Sequence, residues 1–242
     1  MKSTERFADL MACNSVNTWR DLIFKLGGDF GYEQTRLAIL PDPNAPIEAE
    51  NAFQHGNYNS DWLNKYTAEK MHYIDPTFAH CLNKTIPLIW APEIFSGKKQ
   101  NEMYEEACGY GIRSGVTLPI HGAKGELGII CFVTDTKPGK SFQRDACNTL
   151  PELSYFRDFI FESSLQFLRP PTTPEIIPDV TRCEHECLKW CYAGKSSSAI
   201  AQILNCAIAT VDFHFTNLRK KFGVASRHQV VVKALRLGLL QP

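Results

Sequence analysis

At 242 residues, 44% hydrophobic and 21% charged, the chain is too apolar for a disordered protein and long enough for one large domain or two ordinary ones. Lys plus Arg and Asp plus Glu balance at 26 each, so the whole-chain charge points to no partner; from Glu175 onward nine basic residues face five acidic ones, +4 against −4 for the remainder, a weak sign of an anionic partner for the tail. No run approaches the roughly 18 apolar residues of a membrane span, and "MKSTERFADL" lacks the apolar core of a secretory signal, so the expectation is a cytoplasmic protein with no membrane partner and nine mainly reduced cysteines.

In chain order, helical spacing covers about 3–27, and "TRLAIL" (35–40) reads as a strand. Helical patterns follow at 59–69, 75–83 and 99–110, then "GVTLPIHGAKGELGIICFVTD" (115–135) as a hairpin turning at Lys124-Gly125, then a long helix over 141–168. Strands flanked by helices predict an α+β fold whose first domain, 1–168, is an α/β/α sandwich with an antiparallel sheet between helix layers. Such a layering encloses a plausible ligand cavity. There is no P-loop, GxGxxG, GxSxG or HExxH. An enzyme using a cysteine with His80 or His121 has no recognisable nucleophile–base motif behind it, and no catalytic residue is assigned.

The stretch "NYNSDWLNKYTAEKMHYIDPT" (57–77) concentrates three tyrosines and a tryptophan around one acid, Asp75, set before Pro76 where the backbone favours an extended conformation. Taken singly, each ring reads more readily as core than as a binding group, and Asp75 more readily as a helix cap.

"RPPTTPEIIP" (169–178) carries four prolines in ten residues, which excludes helix and central strand and marks an extended linker. Beyond it, 179–242 is all helix. Thr181 and Glu184 have capping-box spacing, and the first helix stops at Gly194. "SSSAIAQIL" is a short second helix, "NCA" a turn, and "IATVDFHFTNLRKKFG" a longer helix with an inward stripe of Ile208, Val211, Phe215, Leu218 and Phe222. Ser226 and Gln229 cap a fourth. Short helix, tight turn and longer helix make a helix-turn-helix, with Thr210, Asp212, Phe213, Thr216, Asn217 and Lys220 outward and "RKK" (219–221) near the end. Small polar groups can reach base edges, and cations neutralise phosphates. Cys183, Cys187 and Cys191 form a four-residue stripe with no second ligand cluster, so they read as buried small hydrophobes with no metal.

"SSAIAQILNCAIATVDFHFTNLRKKFGVASR" resembles the four-helix DNA-binding domain of LuxR-type regulators, matching at Ile200, Ala201, Leu204, Thr210, Val211, His214, Asn217, Lys221, Val224 and Arg227, with Gly194 correctly placed upstream. Cys183 departs from the family's usual Arg, and Ala207 from its frequent capping Ser. "NAFQHGNY", Trp62, Tyr66, "DPT", Trp90, "KKQNEMYEEA" and "PIHGAKGELG" resemble the acyl-homoserine-lactone receptors of that family, most nearly the LasR type, so the resemblance spans nearly the whole chain.

The resemblance implies a quorum-sensing transcription factor. It would bind an N-acyl-homoserine lactone of medium to long chain as signal, use no cofactor, form a homodimer, bind an inverted-repeat promoter element in double-stranded DNA, and work with RNA polymerase. It implies ligand roles for Asp75 as acceptor of the amide N–H, Trp62 as donor to the lactone carbonyl, Tyr58 as donor to the amide carbonyl, Tyr66 and Trp90 as flat walls, and Thr77, Thr117 and Cys131 as nearby hydroxyls and a thiol. On the DNA side it places Asp212 and Thr216 at base-contacting positions and His214, Arg219, Lys220 and Lys221 at phosphates, with Lys195, Thr210, Phe213 and Asn217 completing the DNA face. Strand alternation puts Arg36, Ala38 and Leu40 on the face that lines the acyl tail in the relatives. Arg36 is unusual there, and three roles stay open: pairing with an acid at the rim, shortening the pocket, or meeting an oxygen on the tail. The rival reading is a regulator of the same fold that ignores acyl lactones or inhibits another regulator.

Overall fold

The computed structural model describes residues 2–42, 45–168 and 178–240, with side chains from Arg6 onward. Two compact units divide at Pro171/Thr172. The proline-rich linker expected at 169–178 lies, apart from Pro178, outside the described residues.

In the first unit five strands, β1 (Gln34–Leu40), β2 (Phe53–Gly56), β3 (Leu88–Ile89), β4 (Ser114–His121) and β5 (Leu127–Thr134), form an antiparallel sheet in the order β2-β1-β5-β4-β3. The expected hairpin is β4–β5, whose tight turn has Gly125 at φ +89, a conformation glycine adopts without strain. The helices are α1 (Lys2–Ala12), α2 (Val16–Asp29), α3 (Ser60–Ala68), α4 (Pro76–Asn83), α5 (Lys98–Cys108) and α6 (Lys140–Leu168). The single helix expected over 3–27 is two, because Ser15 turns extended before α2. Strands β2 and β3 were not predicted; both are short and show no in–out alternation of burial.

Strand alternation sorts the sheet into two faces. Leu37, Ile39, Val116, Leu118, Ile130 and Phe132 join Phe7, Trp19 and Phe156 from α1, α2 and α6 in one core. Trp19 also donates its indole N–H to Ser163 Oγ at 2.7 Å, so α2 and α6 are tied by a satisfied buried bond. The alternate residues Ile129, Cys131 and Val133 face a second core with Trp62, Trp90, Phe95 and Tyr104. Each fully buried large apolar side chain is worth about 1.5–3 kcal/mol. The sheet thus lies between helix layers, as the pattern predicts, and its second face is where a cavity opens.

The second unit contains α7 (Arg182–Tyr192), α8 (Ser197–Ile203), α9 (Ile208–Phe222) and α10 (Arg227–Arg236) around Leu188, Ile200, Val211, Phe215, Leu218, Phe222 and Val230. Capping boxes at Thr181–Glu184 and Ser226–Gln229 form as their spacing predicts. Two inward assignments are corrected. Ile208 is 50% exposed because it opens α9, before the helix reaches the core. Of the cysteine stripe only Cys187 is buried; Cys183, one turn earlier in the first turn of α7, is exposed. No group of three metal-ligating side chains occurs among the described residues, and no single described helix is long and apolar enough to cross a membrane.

Candidate functional site

The 57–77 stretch becomes a wall. Asn59 caps α3 by accepting from the backbone N–H groups of Asp61 and Trp62, which fixes the helix that carries Trp62 and Tyr66. Asp75 is a helix cap, as its single-residue reading predicts: its Oδ1 accepts from the Thr77 backbone N–H at 2.8 Å and from the Thr77 hydroxyl at 2.7 Å, with Pro76 opening α4. The same carboxylate also faces a cavity, and its Oδ2 accepts from the Tyr66 hydroxyl at 2.8 Å. Capping and cavity lining are therefore one arrangement.

The cavity has a volume of about 190 Å³, far beyond the needs of one water, and lies between the sheet and α3–α5. Tyr58, Trp62, Tyr66, Asp75, Thr77, Trp90 and Cys131 all line it. Thr117 does not: fully buried behind the wall, it accepts from the Trp90 indole N–H at 2.8 Å and sits 3.3 Å from Cys131 Sγ. It touches two lining residues, Trp90 and Cys131. Trp90 has thus spent its donor inside the protein, whereas the indole N–H of Trp62 makes no hydrogen bond among the described residues. The buried Tyr58 hydroxyl has no partner either, nor has Nε2 of His72, a lining residue that sequence reasoning missed although it lies inside the stretch singled out. Unpaired buried polar groups are costly, so lining residues that carry them mark a candidate ligand site.

Electrostatics fit that arrangement. Burial, and next the nearby Asp75 charge, hold the Tyr66 hydroxyl well above its ordinary pKa, so it remains a donor. Burial does the same for Tyr58. The Cys131 thiol is pushed up to about 12, chiefly by burial, so it stays protonated. Arg36, Ala38 and Leu40 share the cavity face as strand alternation predicts. Neither candidate catalytic histidine meets a thiol: the Nε2 of His80 lies 2.8 Å from the Ile86 carbonyl oxygen, and that of His121 lies 2.9 Å from the Cys81 carbonyl oxygen.

In the second unit α8 and α9 meet at 111°, within the range of a helix-turn-helix, across a turn whose Asn205 takes φ +50. Thr210, Asp212, Phe213, Arg219 and Lys220 are exposed on α9, His214, Thr216 and Asn217 are half-buried, and Lys195 is exposed between α7 and α8. Asp212 Oδ1 accepts from the Ser197 hydroxyl at 2.9 Å, and Ser197 Oγ accepts from Arg227 Nη1 at 2.8 Å, linking α8, α9 and α10. The Thr216 hydroxyl donates to the Asp212 carbonyl, and Arg219 donates to Thr216 Oγ1. Ser197 and Arg227 were missed as supports because their link to Asp212 crosses helices. Lys221 is exposed near the end of α9, and its ammonium donates to Glu184 Oε2 at 2.7 Å and to the Asp179 carbonyl at 2.8 Å.

A mainly apolar cavity carrying a few polar side chains in a layered α/β unit, followed by a helix-turn-helix, defines a ligand-binding DNA-binding regulator. Residues 15–163 match the autoinducer binding domain, and residues 179–234 match the luxR family of bacterial regulatory proteins. The chain belongs to that family. It is 28% identical over 224 residues to the transcriptional activator protein AhyR of Aeromonas hydrophila, covering 90% of this chain and 84% of the relative. It is 28% identical over 189 residues to the HTH-type quorum-sensing regulator RhlR of Pseudomonas aeruginosa, covering 77% of this chain and 75% of the relative. Its fold is that of the crystal structure of Escherichia coli SdiA, with a TM-score of 0.68, 22% identity and coverage of 99% of this chain and 98% of that one. AhyR and RhlR are named as regulators, not enzymes.

Proposed function

We propose that the protein is a cytoplasmic quorum-sensing transcriptional activator that binds an N-acyl-homoserine lactone, dimerises, and binds an inverted-repeat promoter element to recruit RNA polymerase. One observation carries the ligand reading: Asp75, pre-positioned by Tyr66 and Thr77, faces the same cavity as two unpartnered donors, the Trp62 indole and the Tyr58 hydroxyl. An acyl lactone offers the complement, an amide N–H for Asp75 and two carbonyls for the donors. The bond to the carboxylate contributes on the order of 1.5–3 kcal/mol. The acyl chain adds roughly 0.8 kcal/mol per buried CH₂. The 1–168 and 179–242 segments divide the work, ligand and dimer contacts in the first, DNA in the second. Mass spectrometry of organic extracts from protein expressed with a panel of acyl-homoserine lactones tests this; recovery of none of them would sink it.

A second reading, a regulator of the same fold that takes a different ligand, is favoured by one observation, the charged Arg36 on the cavity wall. The same panel, scored by a reporter, separates the two.

A further inference from the structure

Arg36 stands on the central part of the sheet, in register with Cys131 of β5 on one side and Gly56 of β2 on the other. Its side chain lines the cavity. Gly56 makes room for it: a Cβ there would lie 2.9 Å from the Thr35 carbonyl oxygen and 3.0 Å from Arg36 Cδ. The guanidinium makes one hydrogen bond among the described residues, from Nη2 to Gln54 Oε1, and Gln54 is itself oriented by donating to the Ala49 carbonyl. A guanidinium has five N–H donors, so most of its capacity is unused.

No carboxylate answers the charge. Glu48 shares the cavity lining, but it pairs with Lys70 at 2.9 Å. Asp75 accepts from Tyr66 and Thr77 and forms no ion pair with Arg36 among the described residues. Of the three roles the sequence leaves open, pairing with an acid is thereby removed. Burial pulls the Arg36 guanidinium below its ordinary pKa, against the opposing influence of Tyr58, Cys131 and Tyr66. Cys131, its register partner on β5, lines the same cavity as Tyr58, Tyr66 and Asp75, so Arg36 stands on the part of the wall where the ligand amide would bind. A desolvated cation with spare donors is costly unless an acceptor reaches it.

We propose that Arg36, seated by Gly56 and Gln54, is a specificity-determining residue that donates to an oxygen on the acyl chain close to its amide end, so that the protein selects chains bearing a keto or hydroxyl group there over plain alkyl chains. This rests on the acyl-lactone reading above and narrows it. A neutral alkyl chain would leave the guanidinium without an acceptor, and a site built around a donor rejects ligands that cannot accept.

The test uses the full-length protein and acyl-homoserine lactones of equal carbon number: unsubstituted, β-keto, β-hydroxy and ω-hydroxy. Half-maximal concentrations come from a reporter and melting shifts from the purified protein. The wild type is expected to respond to a β-oxygenated chain at a concentration roughly 10- to 100-fold lower than to the plain or ω-hydroxy chain, the range expected of one hydrogen bond from a charged donor. Arg36→Met should bring that ratio toward one, and Arg36→Lys should retain part of it. Equal response of the wild type to plain and β-oxygenated chains, preference for the ω-hydroxy chain, or an unchanged ratio in Arg36→Met overturns the inference. The wild-type ratio decides even if the Met variant does not fold. Silence of the wild type toward every lactone would overturn the acyl-lactone reading itself, and this inference with it.

Discussion

The Tyr66 hydroxyl donates to Asp75 Oδ2 at 2.8 Å while Thr77 holds Oδ1 of the same carboxylate, so the acceptor on the cavity wall is fixed before any ligand arrives. Pre-positioning of this kind cuts the ordering cost of binding. Asp75→Asn removes the charge and turns an NH₂ toward groups that are themselves donors, so it is expected to abolish the signal response. Tyr66→Phe leaves the charge but frees one oxygen to rotate, and is expected to raise the half-maximal lactone concentration about tenfold, the worth of one hydrogen bond. A reporter dose–response curve checks both; an unchanged midpoint for Asp75→Asn removes the assigned role.

The cavity of about 190 Å³ borders the second core of the first unit, so a ligand there adds contacts that the protein alone lacks. A ligand that binds only the native state stabilises it by about 2.7 kcal/mol at a hundredfold excess over Kd. Soluble yield and melting temperature are therefore expected to rise with a matching lactone. Identical yield and melting across a broad panel would favour the regulator that ignores acyl lactones.

The layers, the hairpin and the helix-turn-helix were legible because each follows from periodicity or punctuation: β1 alternates, Gly125 turns, Thr181 and Ser226 cap. What escaped depends on contacts between elements. Ser15 breaks the first helical run without a side-chain cap, leaving little local trace. β2 and β3 exist because β1 and β4 pair with them. Tyr58, Trp62 and Asp75 stood out as a cluster, yet His72 in the same stretch did not, since one histidine among rings reads as packing. Thr117 came with the family resemblance, which carries no sign that its hydroxyl is taken up by Trp90 behind the wall. The pair between Lys221 and Glu184 escaped because a lysine in a basic run carries no local sign of a partner 37 residues away in sequence.

That pair yields a stability prediction. Glu184 is buried, and burial alone would raise its carboxyl; hydrogen bonds from Lys221 and Thr181, with the lysine charge, outweigh it and hold the pKa below the ordinary 4.5. A depressed carboxyl pKa adds stability that is fully present above 4.5 and is lost as pH falls through the lower folded value. Lys221→Ala leaves a buried carboxylate short of its cation and is expected to cost roughly 2–3 kcal/mol, with a flatter acid profile. Urea unfolding of the full chain at several pH values measures this. Wild-type stability combined with loss of DNA affinity would mean that Lys221 acts at phosphate and not in the fold.

Helix α9 begins at Ala207, which makes no side-chain cap bond. Its backbone is already extended, at φ −74 and ψ 149, the conformation a capping serine adopts. Ala207→Ser is expected to stabilise the protein by about 1 kcal/mol, read as a higher urea midpoint at an unchanged slope. A neutral or negative effect would mean that the first N–H groups of α9 already have solvent partners as good as a serine oxygen.

The last prediction separates two kinds of DNA contact on α9. Lys220 is exposed and makes no ion pair among the described residues, whereas Asp212 is engaged with Ser197 and, through it, Arg227. If Lys220 touches phosphate, Lys220→Ala should weaken operator and scrambled duplexes alike and flatten the salt dependence by about one unit of slope per half-site. Thr216→Val should instead cost roughly 1–3 kcal/mol on the operator alone, with the slope unchanged, as for a base contact. Asp212 is more constrained. Its carboxylate is turned toward α8, so Asp212→Ala should loosen the packing between α8 and α9 as well as alter base reading. Ser197→Ala breaks the same link without touching the acid. Anisotropy titrations at several salt concentrations, on operator and scrambled DNA, distinguish the cases. If Ser197→Ala reproduces the operator-specific loss of Asp212→Ala, Asp212 acts by positioning the helix. If only Asp212→Ala loses selectivity at one base pair per half-site, it reads that base directly. Tighter binding of Asp212→Ala to both duplexes by the same factor would mean that its charge only repels the backbone, and base reading would pass to Thr216.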